Sequence, residues 1–257
     1  MEYFDDRSLI RRVHREKVVA LYGRRALLMQ AAHPLAFAGL MAHTGSMDAP
    51  YQRLARTARV INAVTFGPRA EADRLTRRVR AMHRRVRSVL EEPAGRFPAG
   101  TPYAADDPEL LLWVLATLAD SGLVVYERYV GGLRESERRA YWRDYRQVGR
   151  LFGLKAAEMP DSLGDYVEEM LRGPDLHVTD EARELAVKIV LHPPVPVLAR
   201  PLLEVANFHT IGLLPGRLRR EYGLRWHPGR TLVLAGGTEY AKRLVVPLLP
   251  RRLRFAG

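Results

Sequence analysis

The stretch Arg69-Ala-Glu-Ala-Asp-Arg-Leu-Thr-Arg-Arg-Val-Arg-Ala-Met-His83-Arg-Arg-Val-Arg-Ser-Val-Leu90 decides the fold class. Leu75, Val79, Met82, His83, Val86, Val89 and Leu90 recur at steps of three and four, and Arg74, Arg77, Arg78, Arg84 and Arg85 take the positions between them. That is the pattern of a helix with one face in a core. The spacing predicts a helix over 69–90 with the His83 imidazole turned inward. Such an imidazole is either a core group holding one hydrogen-bond partner or a ligand, and periodicity leaves both open.

Working outward, the same periodicity predicts helices over 6–22, 24–43, 49–66, 107–131, 134–152, 161–172, 179–191, 196–212 and 229–246. Punctuation supports them: Gly23 ends the first, Gly67-Pro68 separates two, Asp106-Asp107-Pro108 caps one with proline in its first turn, and Gly131-Gly132 closes it. Strict alternation never persists beyond a few residues. The expectation is an all-α chain, a single globular domain of about ten helices. The Pro- and Gly-rich stretch near 91–106 is the one candidate boundary, but the apolar stripes on either side of it need each other.

The chain has 257 residues, 41 Lys and Arg against 29 Asp and Glu, and a net charge of +12. Lys17, Lys155, Lys188 and Lys242 are the only lysines, so 37 of the cations are arginines. Guanidinium groups pair with planar anions, which admits nucleic acid, an acidic membrane or an anionic cofactor; a bias of genome composition explains the excess equally well. The absence of cysteine excludes disulfide scaffolds, Fe–S clusters, thiolate zinc sites and cysteine nucleophiles. The acidic start Met1-Glu-Tyr-Phe-Asp-Asp6 lacks the order of a secretory signal. The apolar runs 26–42 and 110–126 are broken by Gln30, His33 and Pro34 and by Asp120, short of the about 20 clean residues a membrane span needs. Both read as buried core helices, and a cytoplasmic location is expected. There is no dinucleotide fingerprint, Walker loop, nucleophile elbow, His-Glu-x-x-His or Glu-x-x-His pair. No recognition motif accompanies the basic charge, so no nucleic-acid partner is expected. The C-terminal stretch 241–255 mixes basic and apolar residues and keeps a peripheral membrane contact open, although its prolines make it a poor amphipathic helix and favour an ordinary packed tail.

Two helices carry polar groups beside apolar ones. Over 49–66, Arg53, Arg56 and Thr57 share one side next to Val60 and Val64, which suits either an anion clamp or a solvated face with arginine stems lying along apolar neighbours. Over 24–43, which Pro34 should kink, Gln30, His33 and His43 interrupt an otherwise apolar helix, as structural hydrogen-bond hubs or as pocket residues.

The run Gly23-Arg-Arg-Ala-Leu-Leu-Met-Gln-Ala-Ala-His33-Pro34 followed by Ala42-His43, then Arg53-Leu-Ala-Arg56-Thr57, Val79-Arg-Ala-Met-His83, Tyr103-Ala-Ala-Asp-Asp-Pro108, Trp113-Val-Leu-Ala-Thr117, Leu213-Leu-Pro215 and Arg219-Arg-Glu-Tyr-Gly-Leu-Arg-Trp226 resembles a bacterial and fungal family. It comprises latex-clearing protein (rubber oxygenase) and the MpaB-type membrane-bound fungal oxygenase that trims a farnesyl chain. Order and spacing agree from about residue 10 to 230.

The resemblance implies an all-helical fold around one haem b, with O2 or peroxide as co-substrate and an apolar, isoprenoid-like small molecule as substrate. It implies His83 as the proximal iron ligand, with Arg53, Arg56 and Thr57 as the catalytic polar cluster on the opposite side. Gln30, His33, His43 and Arg80 complete the cofactor-binding set, arginines being suited to haem propionates. Arg56 stands where rubber oxygenase has a lysine able to approach the iron; a guanidinium stays protonated and is no neutral ligand. The rubber enzymes' upstream glutamate has no equivalent, since no acidic residue lies between Glu16 and Asp48, and Leu115 replaces a histidine common in the tryptophan helix of small relatives. The departures keep two alternatives in view: a haem- or lipid-binding helical protein without turnover, and a basic module for nucleic acid or membrane surfaces.

Overall fold

Asp107 and Pro108 begin the helix around which the others are arranged. The Asp107 carboxylate accepts from the backbone N–H of Glu109 at 2.8 Å and of Leu110, and Pro108 fills the first helical position. The helix they start, α6 (Pro108–Tyr129), keeps buried residues along its whole length, from Leu110 and Trp113 to Val125 and Tyr129. It is the one described helix long and apolar enough to cross a membrane, and most of it lies inside the protein.

The computed structural model describes residues 1–41 and 49–256, with side chains described for 1–41 and 55–256. The chain is all-α. Its helices in order are α1 (Leu9–His14), a 3-10 turn, α2 (Tyr22–Ala31), α3 (Pro34–Met41), α4 (Ala49–Phe66) and α5 (Arg69–His83). A short antiparallel pair follows, β1 (Arg87–Val89) with β2 (Pro102–Ala104), Ser88 opposite Tyr103. After α6 come α7 (Glu135–Phe152), α8 (Leu163–Arg172), α9 (Asp180–Leu191), α10 (Arg200–Leu213), α11 (Gly216–Glu221) and α12 (Pro228–Tyr240). A π turn leads from α12 to the short α13 (Val246–Leu248) and α14 (Arg251–Arg254). α2 lies along α6, α7 and α8 flank α6, α9 and α10 pack against α2, and the α4–α5 hairpin leans on α1 and α7.

Three sequence expectations need correction. The segment 24–43 is not one helix: α2 ends at Ala31 and α3 begins at Pro34, because Pro34 has no N–H to continue the ladder. The segment 69–90 is helical only to His83. Beyond it Val86 and Leu90 are buried and Val89 is exposed, since the backbone of 87–89 pairs with β2 instead of continuing the helix. The buried stripe of α5 is Ala72, Thr76, half-buried Val79 and His83, at steps of four, three and four, so His83 lies on the inward side but is itself half-buried. Residues 6–22 divide into α1 and the 3-10 turn, and the small α11 and β-pair were not foreseen.

A buried cation joins the central helices. Arg25 of α2, 5% exposed, donates to Asp120 and Ser121 of α6 at 2.7 Å each and to the Leu213 carbonyl at the end of α10 at 2.8 Å. A desolvated guanidinium is tolerable only with such partners. Asp120→Ala is expected to lower unfolding free energy by about 3 kcal/mol in urea titration, with secondary structure retained; a loss under about 0.5 kcal/mol, the range of an ordinary surface change, would show that the pair is not structural.

Candidate functional site

The predicted residues fall into two groups. The first surrounds the α2–α3 junction. Gln30, in the last turn of α2, donates to the Thr117 hydroxyl of α6 at 3.0 Å, and the Thr117 hydroxyl donates in turn to the Val114 carbonyl at 2.8 Å. Gln30 is thus a hydrogen-bond hub between the two central helices. His33 is 6% exposed; its ring lies 5.6 Å from that of Phe97 in the Pro/Gly-rich loop. Its Nδ1 has no hydrogen-bond partner among the described residues. Burial lowers the His33 imidazole to about 4, Asp175 opposing that shift and Arg96 adding to it, so the ring is neutral at neutral pH.

The cover over His33 is built by charge. Arg96 pairs with Asp175, and the backbone N–H of His177 donates to the Ala32 carbonyl at 2.8 Å. Arg217 of α11 holds this segment from behind: its guanidinium donates to the carbonyls of Leu171, Gly173 and Leu176 and to Glu221. Glu221 in turn accepts from the Val178 N–H at 3.0 Å.

The second group occupies the α4–α5 hairpin. Its two-residue connection, Gly67-Pro68, turns the chain back, so Arg56 and His83 both lie toward the open end, about 15 and 21 Å from the turn at 1.5 Å per residue. Val60 and Val64 are buried as the spacing predicts. Residues Ala55 to Arg59, however, are all exposed, Arg56 and Thr57 among them. More than a full turn of α4 is therefore exposed, on the same half of the hairpin as the half-buried imidazole that ends α5. Arg80 is exposed, with its guanidinium packed over Gly153, whose φ of 109° closes α7; a Cβ there would sit 3.4 Å from Arg80 Nε. It thus faces the end of α7. His43 lies outside the described residues, as does the side chain of Arg53.

Sequence reasoning missed one polar cluster. His14 of α1, half-buried, lies between Tyr141 and Tyr145 of α7, whose hydroxyls lie 3.1 and 2.8 Å from Nε2, and it meets the Tyr22 ring edge-on at 5.1 Å. Burial lowers the imidazole to about 4 and raises Tyr22 to about 12. Gly122 leaves the room, since a Cβ there would collide with the Tyr141 hydroxyl. The signal was available: His14 follows Ile10 by four residues, and Tyr141 and Tyr145 are four apart. No group of three or more His, Cys, Asp or Glu suited to a metal ion occurs among the described residues.

Comparisons with known proteins agree with the sequence resemblance. Residues 11–245 match the family described as ER-bound oxygenase mpaB/B'/Rubber oxygenase, catalytic domain. The uncharacterized proteins Mb2261 of Mycobacterium bovis and Rv2237 of Mycobacterium tuberculosis are each 26% identical over 182 residues, covering 69% of this chain and 68% of theirs. No solved structure matches the chain.

His14 and His33 set a pH dependence. Each is held neutral in the fold at about 4, against 6.5 for an unperturbed imidazole. In that window the unfolded chain binds more protons. Stability is therefore fully present above 6.5 and falls as pH drops to about 4, by about 3 kcal/mol for each ring. Urea midpoints measured across this window should decline steadily, and His14→Gln should remove about half of the decline. A flat profile in the unaltered protein would contradict the burial of both rings.

Proposed function

The chain belongs to this mpaB/rubber oxygenase catalytic-domain family, whose function is of the oxygenase type, and from that premise we propose that it is a haem-b-dependent oxygenase acting on an apolar, isoprenoid-like small molecule. The observation that carries the reading is the open end of the α4–α5 hairpin. There the imidazole at the last position of α5 and an exposed turn of α4, with Arg56 and Thr57 on it, lie on the same half of the hairpin. These residues fit a haem: one neutral imidazole suffices as axial ligand, and with no cysteine in the chain no thiolate competes for iron.

His83 would hold the iron, and haem so held supplies activation of O2 or peroxide. A guanidinium is a donor and not a metal ligand, and Arg56 is assigned that role. Its guanidinium and the Thr57 hydroxyl offer hydrogen bonds to an oxygen-bearing group beside α4 and orient it. Arg53 is proposed as the third member of this cluster, and His43 and Arg80 as further cofactor contacts. The neutral His33 and Gln30 keep the α2–α3 junction free of net charge, as an apolar substrate requires.

A specific observation restricts the reaction. No carboxylate occurs from 17 to 47, and Glu16, 3% exposed, is bound by the Arg254 guanidinium through both oxygens, at 3.0 Å each for the shortest contacts. A base supplied by this segment is absent, so polyisoprene cleavage of the rubber-oxygenase kind is not part of the proposal. The same observation supports the second reading, a haem- or lipid-binding protein without turnover. It would bind haem and give no product with O2 across an isoprenoid panel.

Protein expressed with ample haem should show a Soret band on purification. His83→Ala should lose at least about nine-tenths of it, and Arg56→Leu should keep the band while reducing turnover on the panel about 100-fold, the scale of removing one preorganised donor. A purified protein without a Soret band, or a His83→Ala variant with an unchanged spectrum, would overturn the assignment.

A further inference from the structure

The exposed apolar side chains are unevenly distributed. Of fourteen large ones among the described residues, eleven lie between Val197 and Leu253. Leu198, Leu202 and Val205 are 95%, 73% and 54% exposed. At steps of four and three along a 3-10 turn (Val197–Ala199) that leads into α10, they share one face. Val205 meets Val233 of α12 across a groove of about 360 Å³ that Phe208 and Gly237 also line, so the apolar face continues from α10 onto α12. Past the π turn, Leu248 and Leu253 are again exposed, at 78% and 61%. Surfaces of this kind mark interaction sites.

The charge of the same segment indicates the partner. Between 196 and 256 there are eleven Arg and Lys against three acidic residues. Arg200, Arg251 and Arg252 are exposed and make no ion pair among the described residues. A second copy would set two strongly positive faces against each other. A bilayer with anionic headgroups answers both features, since acyl chains receive the leucines while phosphates receive guanidinium groups that snorkel on apolar stems. We propose that the face formed by α10, α12 and the C-terminal turns docks on an anionic phospholipid surface. The docking uses no residue of the α4–α5 hairpin, so vesicle binding and haem content succeed or fail separately.

The test is co-sedimentation of the full chain with phosphatidylcholine vesicles, with and without phosphatidylglycerol. Binding should require the anionic lipid and should weaken at least about tenfold between low and half-molar salt. Leu198→Glu with Leu202→Glu, and separately Arg251→Gln with Arg252→Gln, should each weaken it by about tenfold or more with unchanged thermal melting. Leu248→Glu with Leu253→Glu serves as a second apolar pair if the first alters melting. Absence of binding to anionic vesicles at low salt overturns the proposal, as does binding that none of these variants weakens. A concentration-dependent dimer in sedimentation velocity that Leu198→Glu with Leu202→Glu abolishes would assign the face to a second copy and overturn it equally.

Discussion

The arrangement of this protein depends on one buried guanidinium. Arg25 sits in the second turn of α2 with its fork closed by Asp120, Ser121 and the Leu213 carbonyl, and a charge at 5% exposure tolerates no other placement of those three groups. The constraint fixes α2 on α6 in rotation as well as position. Gln30, five residues further along α2, then reaches Thr117, and Ser121 lies against the Met29 sulfur. The junction at His33 inherits its place from these contacts, which is why the loop holding Phe97 and the segment holding Asp175 can close over it.

The α4–α5 hairpin stands in a different relation to the core. Its main described contacts are with α1 and α7, and along its described side chains Val60 and Val64 give way to the exposed turn 55–59. Elements with few buried contacts are the ones ligands order. A site there gains from binding energy what it lacks in packing. The rigid α2–α6 assembly behind it is the scaffold that such a site needs.

How much of this was legible follows from the range of each signal. The bounds of α4 and the cap of α6 were readable because Gly67-Pro68 and Asp107-Pro108 are local instructions. The overshoot of α5 was not avoidable from periodicity, since Val86, Val89 and Leu90 continue the helical spacing while their backbone pairs with residues 102–104, more than ten positions away. Helical spacing also placed His83 on the inward side without showing that it stands at the helix end, half-buried. The partners of Arg25 and of His14 lie about 95 and 130 residues away in sequence, a separation at which composition carries no information about pairing.

Arginine, which dominates the charge, is used in three ways that the net +12 conceals. Arg25 and Arg217 are structural: Arg217 spans three carbonyls and a carboxylate at once, a reach that follows from a planar group with five donors and that an ammonium cannot reproduce. Others, such as Arg87 with Asp106 and Arg138 with Glu127, pair at the surface, where the gain is small. A third set, Arg200, Arg251 and Arg252, makes no ion pair among the described residues and lies next to exposed leucines in sequence. The first use accounts for arginine's replacing lysine inside the fold without reference to any anionic partner. The third set places charge beside apolar surface, and that combination, rather than the total, is what the proposed lipid docking rests on.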